Sequence, residues 1–348
     1  MREASSKSSS EKLPYIVYSS DGSNPKEIDD AVFVEPLRSS AAEFLVGVCV
    51  ADTSKLYANG DVRKQAMNNV HAEYWELPDH EMGYDPMIGE EHIRSIELTE
   101  GYLRNALVVS FVIGEKVPPT DVRIEFNKIE VTKNHTYKTF SGMTGAGKSA
   151  ERFGVASNLI LRHIAYEQGG DSSGRNKTGE EGIPMNVSYQ SWSRGARLNE
   201  AFMVAANHLV GRVLRDEGRP AIYRVHDLSD PRYKEYVETN CARYTMEPGP
   251  HQGLGVDPYC RVTSPLRRLE DFVMNYQLKQ RFLRKETTKS DMDVMEQAIR
   301  TLNKRAIYKA LETTDGVKDR RERMKRITSA AIARTTKPEE ISLGLVAG

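Results

Sequence analysis

The stretch Ser20-Asp21-Gly22-Ser23-Asn24-Pro25-Lys26-Glu27-Ile28-Asp29-Asp30-Ala31 decides how this chain is read. Four carboxylates fall within ten residues, and the segment runs straight into Val32-Phe33-Val34, an apolar run that predicts a strand. Two like charges ~4 Å apart repel by roughly 4 kcal/mol at an effective dielectric of about 20. A solvated loop relieves that repulsion by splaying its side chains, and a folded site relieves it by binding a cation. Asp29 and Asp30 close a turn and open a strand, so their carboxylates are held rather than splayed. Such hard oxygen donors suit magnesium or manganese. Spacing alone leaves both readings open, an acidic loop before a strand or a cation site.

Outward from this stretch the chain changes character once. Ala31 to Glu35 and the β-branched run Glu43 to Asp52 predict an antiparallel pair joined by a polar loop. Ala106 to Ile113 predicts another buried strand. Val122 to Val131 alternates Val, Ile, Phe, Ile, Val with a period of two, the signature of a half-exposed strand. Helical spacing takes over afterwards, over Ser149–Tyr166, Asn199–Glu217, Leu266–Leu283 and Met292–Leu311. Within the second of these, Phe202, Ala206, Leu209 and Val213 form one stripe. Gly169 to Gly182 is Gly, Ser and charge and reads as a mobile loop. Strands first and helices later, without alternation, predict an α+β fold with a mostly antiparallel sheet.

Composition narrows the class. The chain has 348 residues, 39% apolar and 28% charged, as in an ordinary globular protein with mass for a sizeable core. No run of 18 apolar residues exists, so no membrane span is expected. Met1 to Lys12 is rich in Ser, Lys and Glu and lacks an apolar segment, which predicts a disordered tail over 1–13 rather than a secretory signal. A second loose tail is expected over 331–348. Cys49, Cys241 and Cys260 are odd in number and far apart, which fits a reducing, cytoplasmic setting and gives no zinc spacing. The 49 Lys and Arg balance the 49 Asp and Glu, so global charge does not announce nucleic acid. Locally the balance breaks: Lys279 to Arg326 holds fifteen bases against eight acids, and His71 to Glu100 nine acids against Arg94 alone. A basic helix face of this kind either tracks phosphates or is solvated.

Gly142-Met-Thr-Gly-Ala-Gly147-Lys148-Ser149 satisfies the phosphate-loop pattern. Such a loop follows a buried strand, yet Lys133 to Phe140 is too polar for one, and no later apolar run ends in the Asp that holds magnesium. The motif is read as a Gly-rich turn before a helix.

A second constellation stands in the later half. Glu247-Pro-Gly-Pro-His251-Gln-Gly-Leu-Gly255 precedes Tyr259-Cys-Arg-Val-Thr263-Ser264-Pro265-Leu-Arg267-Arg268-Leu-Glu-Asp271. Ser264 before Pro265 predicts a helix opening, a hydroxyl cap and then proline at the first helical position. Arg267 and Arg268 would lie on the first turn, where a guanidinium fork grips a phosphate. By itself the segment reads equally as a capped helix with surface arginines.

Taken together, the two constellations resemble the catalytic domain of the ribonuclease II family, the RNB domain. Its opening pattern is matched by Asp21, Glu27, Asp29, Asp30 and Ala31, and its next strand end by Val50-Ala51-Asp52. Met203-Val-Ala-Ala-Asn207, Ile222-Tyr223-Arg224-Val225-His226 and the block from Pro248 to Arg267 follow in family order. The resemblance implies one catalytic domain over 14–330, a twisted sheet wrapped by helices. It implies a hydrolytic exoribonuclease that degrades single-stranded RNA from its 3′ end to nucleoside 5′-monophosphates. Asp21, Glu27, Asp29 and Asp30 would hold Mg2+, or Mn2+, and Asp29 and Arg267 would carry the chemistry, Arg267 by neutralising charge on the phosphoryl oxygens. Tyr137, Tyr74 (or its neighbour Trp75), His251, Ser264 and Arg268 would meet RNA.

Three departures stand out. Glu27 replaces the family's usual Asp and is longer by one methylene. Lys304 falls where a supporting Glu is expected, and Gln168 to Arg194 is shorter than the family's segment. The family's flanking RNA-binding barrels have no counterpart in these residues. That predicts weaker, strongly salt-dependent binding unless a protein partner supplies them. A catalytically weakened RNA-binding scaffold is the alternative implied by the departures.

Overall fold

The apolar runs of the first half pair as one sheet. In a computed structural model, which describes residues 12–37, 43–76, 82–116, 118–167, 194–227 and 242–312, the strands are β1 (Tyr18–Asp21), β2 (Asp30–Pro36), β3 (Glu43–Ala51), β4 (Glu73–Glu76), β5 (Met82–Asp85), β6 (Leu103–Gly114), β7 (Thr120–Glu130), β8 (Lys133–Thr136), β9 (Tyr223–Val225) and β10 (Arg243–Thr245). The helices are α1 (Ser54–Ala58), α2 (Gly60–Asn69), α3 (Glu90–Ile96), α4 (Tyr137–Met143), α5 (Glu151–Glu167), α6 (Arg194–Asp216), α7 (Leu269–Phe282) and α8 (Lys289–Glu312). The main sheet runs β7-β6-β3-β2-β1-β8. All its pairings are antiparallel except β1 with β8, which is parallel. The fold is α+β, as the order of patterns predicts.

The central strands β2, β3 and β6 are buried on both faces, which is why they read as near-continuous apolar runs. Val32, Val48, Val50, Val109 and Phe111 form the sheet side of the core, and Phe153, Phe202, Ala206 and Leu209 the helix side. Each large apolar side chain buried this way is worth about 1.5–3 kcal/mol. Gly47 is required at its place, because a Cβ there would sit 2.1 Å from the Phe33 ring. Gly195 is required for the same reason: a Cβ would meet the Tyr137 carbonyl oxygen at 1.9 Å, so α6 packs its first turn directly on the start of α4.

One local expectation is corrected. Ser264-Pro265 does not open a helix. Pro265–Arg267 is a turn, Arg268 is extended, and α7 starts at Leu269. The reason is tertiary. The Leu269 N–H donates to the Val70 carbonyl at 2.9 Å and the Ala72 N–H to the Arg267 carbonyl at 3.1 Å, so residues 70–72 hold Arg268 in extended form. The polar segment Lys133–Thr136 does form a strand, but an edge one, consistent with its failure as the central strand of a phosphate loop. The Gly147 N–H that would cradle a phosphate donates to Glu151 Oε2 at 2.8 Å.

The tail over residues 1–11, the loop Gly169–Gly182, Cys241 and residues 313–348 lie outside the described residues. So do most of Gln168–Arg194 and the second half of the basic run. In the described half of that run, Lys279 pairs with Asp52 and Arg281 with Glu217. Arg300 pairs with Glu296 and Arg305 with Glu73, so these bases are engaged within the fold. Among the described residues no helix is long and apolar enough to cross a membrane.

Candidate active site

The acids of the opening stretch meet because β1 and β2 are antiparallel neighbours. With Tyr18 opposite Val32, the same register carries Asp21, at the end of β1, across from Asp29, just before β2. The two halves of the chain then close on each other. Asp29 Oδ1 accepts the Leu266 N–H at 2.8 Å and Oδ2 accepts Arg267 Nε at 2.9 Å. Arg267 Nε is 3.8 Å from Glu27 Oε1, and another guanidinium nitrogen donates to Ser264 Oγ at 3.1 Å. Tyr74 donates its hydroxyl to the same Glu27 Oε1. On the far side Asn199 Nδ2, from α6, donates to Asp30 Oδ1 at 3.2 Å.

The turn carrying Arg267 is held by a polar frame. Asn207 on α6 accepts the Val262 N–H at 2.8 Å and donates to Tyr259 Oη and Thr263 Oγ1 at 3.1 and 3.3 Å. Asp271 Oδ2 accepts the Ser264 N–H at 2.7 Å. Beneath it Glu270 Oε1 takes Arg261 Nη1 at 2.9 Å and the Tyr244 hydroxyl at 3.1 Å. The turn thus offers amides of the kind that bind anions, and Asp29 and Asp271 are the anions that hold them.

Burial sets the protonation of the acids. It pushes Asp21 up to about 8, with the charges of Asp30 and Asp29 adding to the rise. Burial raises Asp29 to about 7 against the pull of Arg267, and Asp30 to about 6 against the Asn199 hydrogen bond and Arg267. Burial works against the charge of Arg267, but Asp29, Tyr74 and Glu27 outweigh it and hold the guanidinium above its ordinary range. Arg268 has no such partner so close. Burial, then the charges of Arg261 and Arg267, bring it down to about 10.

The donor set is oxygen only, and Asp21 Oδ2 and Glu27 Oε2 are buried without a hydrogen-bond partner among the described residues. Those orphaned oxygens and three aspartates raised by burial fit a hard divalent cation, whose charge would reverse both costs. The described residues do not close into a ready-made cage of three or more such ligands. As they stand, Arg267 supplies the positive charge to Asp29.

Of the other sequence-predicted residues, Tyr137 opens α4 beside the acids. Burial and then the charges of Asp21 and Asp30 push its phenol up to about 12. Tyr74 stands at the rim, 42% exposed. Ser264 and Arg268 belong to the arginine turn, Ser264 buried and Arg268 Nη1 4.0 Å from Asp271 Oδ2. His251 is buried against Tyr259 and His226, with neither ring nitrogen bonded among the described residues and no contact with the carboxylates. Lys304 is exposed on α8. Asn199, Asn207 and Tyr84 were not singled out by pattern. The Met-x-Ala-Ala-Asn run was the one available signal, and it pointed at Asn207 without a role.

The family model for the RNB domain matches residues 12–241 and 236–285, and the chain belongs to this family. It is 22% identical over 356 residues to Exoribonuclease 2 of Cronobacter sakazakii, covering 85% of this chain and 54% of that protein. The chain spans about half the length of the curated relatives it matches. Among solved structures, Mycoplasma genitalium RNase R in complex with double-stranded RNA superposes with a TM-score of 0.66 at 17% identity, covering 92% of this chain and 65% of that one. Yeast Ssd1, described as a pseudonuclease, gives 0.64 at 12%, covering 85% and 43%. At these identities the structural likeness establishes the RNB fold.

Proposed function

We propose that this chain is a divalent-metal-dependent, hydrolytic exoribonuclease of the ribonuclease II type that trims single-stranded RNA from the 3′ end to nucleoside 5′-monophosphates. The observation that carries the reading is the meeting of Asp21, Glu27, Asp29 and Asp30 with Arg267 across more than two hundred residues of chain, at a cost in buried charge that packing alone does not require. Those four acids would hold Mg2+ or Mn2+, which when bound supplies an activated water and charge neutralisation at the phosphate. Arg267 has the planar fork that takes a phosphoryl group in two places. Arg268 and Ser264, on the same turn, would support the backbone phosphate, and His251 would buttress the turn from behind. Tyr137, under the charges of Asp21 and Asp30, and Tyr74, bonded to Glu27, would offer faces for terminal bases. The catalytic unit is taken as residues 14–330, acting in the cytoplasm; the free, buried thiols of Cys49 and Cys260 support a reducing setting.

One observation favours a second reading, an RNA-binding scaffold without activity. Both oxygens of Asp29 already have protein donors, and Glu27 is engaged by Tyr74. Asp29→Asn separates the two. The exonuclease reading predicts that the variant binds single-stranded RNA as the wild type does and releases no mononucleotide. Wild-type protein that binds RNA and is indistinguishable from Asp29→Asn in product release would establish the scaffold.

A further inference from the structure

Glu27 has the least conventional surroundings of the four acids. Its side chain is 3% exposed, Tyr74 donates to Oε1, Arg267 Nε approaches the same atom at 3.8 Å, and Oε2 has no hydrogen bond among the described residues. Tyr74 comes from β4, and its partner across the β4–β5 pair is Tyr84, with ring centroids 5.4 Å apart. The Tyr84 hydroxyl is likewise buried and unpartnered among the described residues. The Tyr84 ring packs on the ring whose hydroxyl Glu27 accepts. The strand is also tied to the arginine, since residues 70–72, just before β4, hydrogen-bond to the backbone of 267–269. Hairpin, glutamate and arginine are therefore one mechanical unit.

We infer that Tyr74 and Tyr84 are positioning residues for Glu27: Tyr74, its ring packed on that of Tyr84, holds the carboxylate through Oε1 and leaves Oε2 as the free donor oxygen. This rests on the metal-dependent reading above. It also explains the residue at position 27. An aspartate, shorter by a methylene, retracts its oxygens from the Tyr74 hydroxyl, so glutamate and the tyrosine pair belong together.

The test is calorimetric titration of Mn2+ into the full chain, as wild type, Tyr74→Phe, Tyr84→Phe, the double variant, Glu27→Asp, and Glu27→Asp with both tyrosines changed. Binding of single-stranded RNA in chelator is measured in parallel. Phenylalanine keeps both rings, so RNA affinity stays at its wild-type value in Tyr84→Phe, while Mn2+ affinity falls about 10- to 100-fold in the double variant, as for lost outer-sphere partners of a metal site. In the Glu27→Asp background the same tyrosine changes have no further effect, a non-additivity that a merely structural role does not produce. Wild-type binding with an unmoved double variant overturns the inference alone, as does an equal tyrosine effect in the Glu27→Asp background. A wild type that takes no Mn2+ overturns the metal-dependent reading and this inference with it.

Discussion

Without a divalent cation, the protein should lose stability as the pH rises from about 4 to about 8. Asp29 titrates near 3.8 when free and near about 7 in the fold. A carboxyl raised on folding contributes stability that is complete below its unfolded value and lost as the pH passes through its folded value. For Asp29 that difference is on the order of 4 kcal/mol. Asp30, at about 6, and Asp21, at about 8, act in the same direction, but the three share one field and their effects do not add. The acid limb has the opposite sign. Burial lowers His71 to about 4 against the pull of Glu270. Burial alone would raise Glu270, but Arg261, His71 and Arg268 bring it to about 2. The stability these two contribute is present above their unfolded values and lost as the pH falls through the folded ones. Urea unfolding in chelator should therefore show a maximum at about pH 4 and a loss of several kcal/mol by about pH 8. Saturating Mg2+ should flatten the alkaline limb, because the cation takes the place of the protons. Asp29→Asn should remove part of that limb. Stability in chelator that holds or rises between about pH 4 and about pH 8, or a loss over that range unchanged in Asp29→Asn, would refute the account of the buried acids.

Asn207→Leu should destabilise the fold by about 2–4 kcal/mol in urea unfolding, because it strands the buried Val262 N–H and removes two hydroxyl partners. Glu270→Gln should cost about 3–5 kcal/mol, since Arg261 loses the carboxylate it meets at 2.9 Å in a buried place. Lys148→Ala should change unfolding free energy by less than about 0.5 kcal/mol, and wild-type protein should show no ATP turnover for it to remove, because Lys148 is exposed and Glu151 fills the loop.

What was legible in the sequence follows from how local each signal is. β2, β3 and β6 announce themselves because strands buried on both faces must be apolar throughout. The acids were legible because four carboxylates at a strand opening are an electrostatic anomaly in any fold. The hairpin Glu73–Glu76 with Met82–Asp85 was not, since Glu-Tyr-Trp-Glu has no clean alternation and is specified by backbone pairing. Asn199 and Asn207 look like the polar face of an amphipathic helix until α6 is laid against Asp30 and Val262. The Ser264-Pro265 signal was misleading for a definite reason. Local capping chemistry favours a helix there, but Asp29, Asp271 and residues 70–72 compete for the same backbone groups and win. The competition is what places Arg267 on Asp29.

The most direct measurement is a time course of 5′-end-labelled single-stranded RNA with the purified chain, in Mg2+ and in chelator, with the released products identified. The account predicts a ladder shortening one nucleotide at a time from the 3′ end, nucleoside 5′-monophosphates as the released species, and no change in chelator. Internal fragments in place of mononucleotides, or the same ladder with the cation removed, would contradict it.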